Sequence, residues 1–256
     1  MDEALALLNQ PNTLPLGGGT LLSHPTPFDA AQGGADSVAV VDLQALGLDS
    51  LNAKGNPSTG SGQVLEIGAT CTLQSLLESK DCPAALKTAI KLEAPINIRN
   101  SATVAGTLVA SDGRSPFATC LLAMDAKITV VNNQTSVVSL GEYLLTKPKG
   151  LITQIVIPLN TKFAFEFVSK TPADKPLVCA AVNQWNSGRT RLVLGGYGKS
   201  PVLAMDGTEA DGIDASINSV QAAARNAYHE AQDEWASAEY RMDAAATLAK
   251  RCVEGM

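Results

Sequence analysis

Three stretches of this chain combine residue types at spacings that could do chemistry. The first is Pro15-Leu16-Gly17-Gly18-Gly19-Thr20-Leu21-Leu22. Consecutive glycines let a backbone take left-handed or strained angles and come close to a ligand, so that successive N–H groups converge on an anionic oxygen. Thr20 adds a hydroxyl donor. Leu22 stands where the last glycine of a G-x-G-x-x-G fingerprint would fall, so this is not that motif. Taken alone, a glycine triplet is more simply read as a flexible turn between a helix and a strand. The second stretch runs from Pro95 to Phe117, with a small-residue turn, Ala105-Gly106-Thr107, followed by a polar loop holding Asp112, Arg114 and Ser115. Such a combination suits a buried polar ligand, although Arg99 by itself reads as an ion-pair residue and Asp112 as a turn residue. The third, Gly195-Gly196-Tyr197-Gly198-Lys199-Ser200, imitates the end of a phosphate-binding P-loop. Val193 occupies the place of a required glycine, and the strand-like Pro201-Val202 follows where a helix should start, so it reads as a turn at the end of a strand.

Other chemistry lacks its parts. Cys71, Cys82, Cys120, Cys179 and Cys252 are odd in number and contain no C-x-x-C pair, which speaks against a disulfide framework, a zinc site or an iron–sulfur cluster. They read as reduced, mostly apolar fillers. His24 and His229 stand apart, without clustered carboxylates, so no catalytic side chain and no metal site is expected. Redox chemistry here would require an organic cofactor. A formal charge of −6, with scattered basic residues, makes nucleic acid a poor partner. The start Met1-Asp2-Glu3 is not that of a secretory signal and no apolar run is long enough to span a membrane, so a cytoplasmic protein is expected.

The elements that must position these stretches follow from periodicity. Helical spacing from Asp2 to Asn9 stops before Pro11; Ser37 to Leu43 reads as a buried strand; Asn52 to Gly62 reads as an exposed loop. Val64 to Ala69 is a strand leading to a helix from Leu73 to Leu77, with Thr70 or Thr72 as its cap. Pro83 opens a helix that must end before Pro95. Asn132-Asn133 sits between two β-rich runs, as in a tight hairpin with positive φ angles. Beyond Gly150 come four strands, 151–159, 162–168, 177–185 and 190–195, read as one antiparallel sheet, and then helices from Asp214 to Val253 with Asp233 as the cap of the last. With nearly half its residues apolar the chain is long enough to bury a real core, and the run of strands followed by helices suggests an α+β C-terminal domain.

In their order and spacing these pieces resemble the FAD-binding medium subunits of the xanthine dehydrogenase and carbon monoxide dehydrogenase family of molybdenum hydroxylases. The resemblance is carried by the turn Gly17 to Leu22, Val41-Asp42-Leu43, Ile67-Gly68-Ala69-Thr70, Ile98 to Val104, Leu121 to Ala126, Leu194-Gly195-Gly196 and Ser237 to Arg241. It implies a two-part FAD-binding region of the vanillyl-alcohol-oxidase (PCMH) type, spanning residues 1–53 and 54–155, followed by a C-terminal domain of antiparallel sheet and helices over 156–256. It further implies FAD as cofactor, held by Leu16, Gly17, Gly18, Gly19, Thr20, Leu21 and Leu22 in one turn and Thr103, Ala105, Gly106 and Thr107 in the other. Asp112 and Ser115 would also bind the cofactor, Asp112 or Arg114 substituting for the family's aspartate at the ribityl hydroxyls; Leu151 and Ile152 would border the flavin or adenine; and Phe165, Lys170 and Leu177 would stand near the flavin face, which lies toward the C-terminal domain. Two departures from the family pattern are Ala105, where a glycine is usual, and Pro116, where an aspartate often follows the serine. The implied role is an electron-transfer subunit working with an iron–sulfur subunit and a molybdopterin-containing large subunit in a hetero-oligomer. The alternatives are a scaffold of the same fold without FAD and a stand-alone flavin oxidase.

Overall fold

The structure is a computed structural model that describes residues 1–20, 39–55 and 62–256. Helix α1 (Asp2–Leu8) leads into strand β1 (Thr13–Leu16), which pairs in parallel with β2 (Ala39–Asp42). With α1 packed on this two-stranded sheet, Leu14 and Val40 still face solvent. The valine-rich run is therefore not the buried strand that its composition predicts, because so small a sheet has too few layers to cover both faces. Ser37, Val38, Leu21 and Leu22 lie outside the described residues.

Residues 51–54, expected in a loop, form an edge strand, β3 (Leu51–Lys54), antiparallel to β4 (Val64–Gly68). An edge position accepts polar residues such as Asn52 and Lys54 because one side of the strand stays wet. In β4 the period-two pattern is clean, with Leu65 and Ile67 fully buried. The chain then runs through α2 (Leu73–Glu78), α3 (Ala84–Glu93), α4 (Ile96–Arg99), α5 (Val104–Val109) and α6 (Pro116–Ala123). The hairpin β5 (Lys127–Val131) and β6 (Thr135–Ser139) follows, then α7 (Leu140–Thr146) and β7 (Leu151–Pro158). Strand β7 inserts between β4 and β5, giving a five-stranded antiparallel sheet in the order β3-β4-β7-β5-β6. It thus joins this sheet rather than the C-terminal one with which its sequence groups it. At the hairpin, Val131 faces Thr135 and leaves a three-residue loop in which neither asparagine takes a positive φ; the Asn132 N–H donates to the Gln134 carbonyl instead.

The second sheet contains β8 (Lys162–Val168), β9 (Val178–Gln184), β10 (Thr190–Gly195) and β11 (Val202–Gly207), in the order β11-β10-β9-β8, all antiparallel. Helix α6, buried along its whole length, packs on one face of it; α8 (Ile217–Ala227) and α9 (Ala238–Glu254) cover the other. A helix apolar all round belongs inside, and α6 joins the two sheets into one fold. Strand β9 accordingly alternates between two cores: Cys179 and Ala181 face the side of the first sheet, while Val178, Ala180 and Val182 face α8 and α9. The last helix is capped by Ser237, whose hydroxyl accepts from the Tyr240 N–H. Asp233 is drawn elsewhere, accepting from the Trp235 and Ala236 N–H groups and from the buried Arg241. The architecture is the expected α+β one, with antiparallel sheets and helices.

Candidate functional site

Strand β1 delivers Gly17–Thr20 against the segment that opens α5. A Cβ added at Gly18 would lie 1.7 Å from the Ser101 carbonyl oxygen, and one at Gly17 would lie 2.7 Å from Thr103 Oγ1. These glycines are therefore required because two backbones touch, a reason that composition alone does not reveal. Gly19 takes φ +67°, an angle that side-chain-bearing residues rarely adopt. Thr103 is tied to Thr72 by an isolated β-bridge and caps α5, its hydroxyl accepting from the Gly106 N–H at 3.2 Å.

The two turns line one groove of about 540 Å³, within the range of small-molecule sites. Of the residues expected at a ligand, Gly17, Gly18, Gly19, Thr20, Thr103, Ala105, Gly106, Thr107, Leu151 and Ile152 all line it. The second stretch, Ala105-Gly106-Thr107, expected as a turn, is instead the start of helix α5, because Thr103 caps it and closes helical hydrogen bonds. The Val104 N–H donates to the Cys71 carbonyl, that of Ala105 to Ala69, and that of Thr107 to Thr103. With the Gly106 N–H on the Thr103 hydroxyl, the start of α5 has its donors engaged, and it gives the groove room through small side chains rather than an amide cradle.

The other expected residues stand outside the lining. Leu16 ends β1 before the turn, and Leu21 and Leu22 are outside the described residues. Asp112 accepts from the Arg114 N–H in a local turn. Ser115 is fully buried: its hydroxyl caps α6, accepting from the Ala118 N–H, and donates to Glu93 Oε2 at 2.7 Å. Phe165 is buried in β8, stacked on Phe167. Leu177 is buried and gives its carbonyl to Arg241, and the Lys170 ammonium sits 4.6 Å from the centre of the Trp235 ring.

The groove also contains residues that the sequence did not mark. Thr72, not Thr70, caps α2, which leaves the buried Thr70 Oγ1 without a hydrogen-bond partner on the groove wall. A buried hydroxyl normally finds a partner, so this one is available to a ligand. Its place beside Thr72 just before an apolar run was the available signal. Tyr143 lines the groove as a neutral phenol, its pKa pushed up by burial. Glu93 and Lys175 are the only charged side chains lining it among the described residues. Nothing in their local sequence marks them.

Oxidisable and metal-binding chemistry is absent from this arrangement among the described residues. All five cysteines are free and buried, and burial raises their thiols, those of Cys82, Cys179 and Cys252 to about 12. No cluster of three or more His, Cys, Asp or Glu is poised to hold a metal, and no helix is long and apolar enough to cross a membrane, in both cases among the described residues. The glycine turn packed on α5, the orphaned Thr70 hydroxyl and the small-residue wall thus border one groove of small-molecule size.

A family model described as the FAD binding domain in molybdopterin dehydrogenase matches residues 1–160. The protein YgfM of Escherichia coli K12 is 29% identical over 227 residues, which cover 88% of this chain and 80% of YgfM. Among solved structures, quinoline 2-oxidoreductase from Pseudomonas putida 86 superposes with a TM-score of 0.76 at 19% identity, over 100% of this chain and 93% of that one. The carbon monoxide dehydrogenase of Oligotropha carboxidovorans does so with a TM-score of 0.78 at 24% identity, over 99% and 93%. At such identities the structural likeness is one of fold.

Proposed function

The chain belongs to the family of FAD-binding domains of molybdopterin dehydrogenases, and from that premise we propose that it is an FAD-bearing electron-transfer subunit of a molybdenum hydroxylase-type oxidoreductase. The observation that carries this reading is the single groove lined by both turns, Gly17–Thr20 and Thr103–Thr107. FAD, when bound, supplies a carrier that takes up and releases electrons. The chain's own part is to bind, orient and shield it. Gly17, Gly18, Gly19 and Thr20 serve the diphosphate. The hydroxyls of Thr20 and Thr70 donate to the cofactor's polar atoms, each worth roughly 1.5–3 kcal/mol where the acceptor is charged. Leu151, Ile152 and the small side chains of Ala105 and Gly106 exclude water from the groove. Ser115, Phe165 and Leu177 act by holding the wall rather than by touching the ligand.

In this reading the groove lies between the part before β4 and the part that ends with β7, and the flavin ring points toward the C-terminal sheet and helices. The partners are an iron–sulfur subunit that delivers electrons and a molybdopterin-containing subunit that oxidises the substrate. Support comes from the quinoline and carbon monoxide oxidising enzymes whose chains share this fold over nearly their whole length. The test is purification at native abundance: the chain should come with an iron–sulfur partner, and reducing that partner should bleach the flavin absorbance. A chain that purifies alone and whose flavin is reduced by a substrate directly would be a stand-alone oxidase instead.

A further inference from the structure

The charged side chains in the groove form a built pair. Glu93, at the C-terminal end of α3, has a side chain only 7% exposed. Its Oε2 accepts from the Ser115 hydroxyl at 2.7 Å and the Phe117 N–H at 3.1 Å, so that it sits as an anion on the first turn of α6, astride Pro116. A carboxylate at that position is stabilised by the helix N-terminus and by both donors. Its other oxygen takes Lys175 Nζ at 3.0 Å. Lys175 comes from the loop between β8 and β9, beside α3, which packs on β8. An ammonium carries three donors and Glu93 uses one, which leaves two for a ligand.

We propose that Lys175 is a further cofactor-binding residue, an ammonium that donates to the carbonyl-bearing edge of the flavin ring, and that Glu93 is the positioning residue that holds it there. The proposal rests on the reading of the groove as an FAD site with the ring toward the C-terminal sheet. The diphosphate is assigned to Gly17–Thr20, beyond the end of β1, whereas Lys175 belongs to the loop between two strands of the C-terminal sheet, toward which the ring points in that reading. What remains for Lys175 is the ring. Two-electron reduction of the ring places negative charge along that edge, so a fixed cation there favours the reduced form.

The experiment compares the wild-type chain with Lys175→Met and Glu93→Gln. Affinities for FAD, riboflavin and ADP are measured by fluorescence titration and calorimetry, and the flavin midpoint potential is measured by equilibration with a reference dye. Lys175 is in a half-exposed loop, so the methionine variant keeps the fold. Loss of one charged hydrogen bond predicts affinities for FAD and riboflavin about tenfold weaker, an unchanged affinity for ADP, and a more negative potential. Each tenfold difference in weakening between reduced and oxidised flavin moves that potential by about 30 mV for a two-electron couple. Glu93→Gln weakens FAD and riboflavin by less and leaves ADP unchanged, because the amide can still accept from Ser115 and so keeps Lys175 partly in place. If Lys175→Met weakens ADP as much as FAD, the cation serves the diphosphate and the proposal falls. It falls equally if neither affinity nor potential moves. A wild-type chain that binds ADP but no flavin overturns the FAD reading itself.

Discussion

At Gly18, a single hydrogen in place of a side chain decides whether the first turn can lie on Ser101 and Thr103. Gly18→Ala would drive a methyl to within 1.7 Å of a carbonyl oxygen, a clash that only backbone movement relieves. The expected outcome is loss of FAD uptake together with a destabilisation of about 1–3 kcal/mol, read by flavin titration and by denaturant unfolding. Ala105→Gly behaves in the opposite sense at the ligand. The methyl lines the groove while the N–H is bonded to Ala69, so the glycine variant should bind FAD as well or better and lose about 0.5–1 kcal/mol of stability from the helix. An isothermal titration and a thermal melt separate the two effects. The glycine turn was legible in the sequence because its residue types have few other uses at that density. Glu93 and Lys175 were not, because they lie 82 positions apart and meet only when both sheets pack on α6.

Among the elements, α9 and the loops before it depend on one buried cation. Arg241 is fully buried and donates to the Leu177 and Gly196 carbonyls and to Asp233. Arg241→Met leaves two buried carbonyls and an ionised Asp233 without their donor, a loss on the order of 3–5 kcal/mol that a shift of the denaturant midpoint should show. A related network ties β10 and β11 to the end of α6: Asp206 accepts from Arg189 and Arg191, and Arg191 also reaches the Leu122 carbonyl. Burial works to raise the pKa of Asp206, but the hydrogen bonds and charges of the two arginines outweigh it and hold the carboxyl below the ordinary range. A carboxylate whose folded pKa is depressed contributes stability above its unfolded pKa of about 3.9 and loses it as pH falls through the folded value. Unfolding monitored from pH 6 downward, in steps of about one unit, should therefore show stability falling off below about pH 4, less steeply in Asp206→Asn. Periodicity placed most of these elements. It missed the partner of β7 and the cap of α9, since strand neighbours are chosen by tertiary packing, and Ser237 and Asp233 are both competent caps until Arg241 claims one of them.

For the whole molecule, α6 is the part that makes two sheets one protein, and the groove exists because the small sheet of β1 and β2 is brought against the start of α5 beside it. Most strands and the outer helices were readable from hydrophobic period, but α4, α5, α6 and α7 were not, because short helices and one buried on every side show no amphipathic period; nor was the way β9 serves two cores, because a continuous apolar strand looks the same whichever layers enclose it. The central claim is that this assembled groove holds FAD. It is tested most directly by the visible absorption spectrum of the purified chain, with release and identification of any chromophore and, if it is colourless, addition of FAD. The account predicts flavin bands and close to one FAD per chain, either as purified or after addition. A colourless chain that also fails to take up added FAD would contradict it.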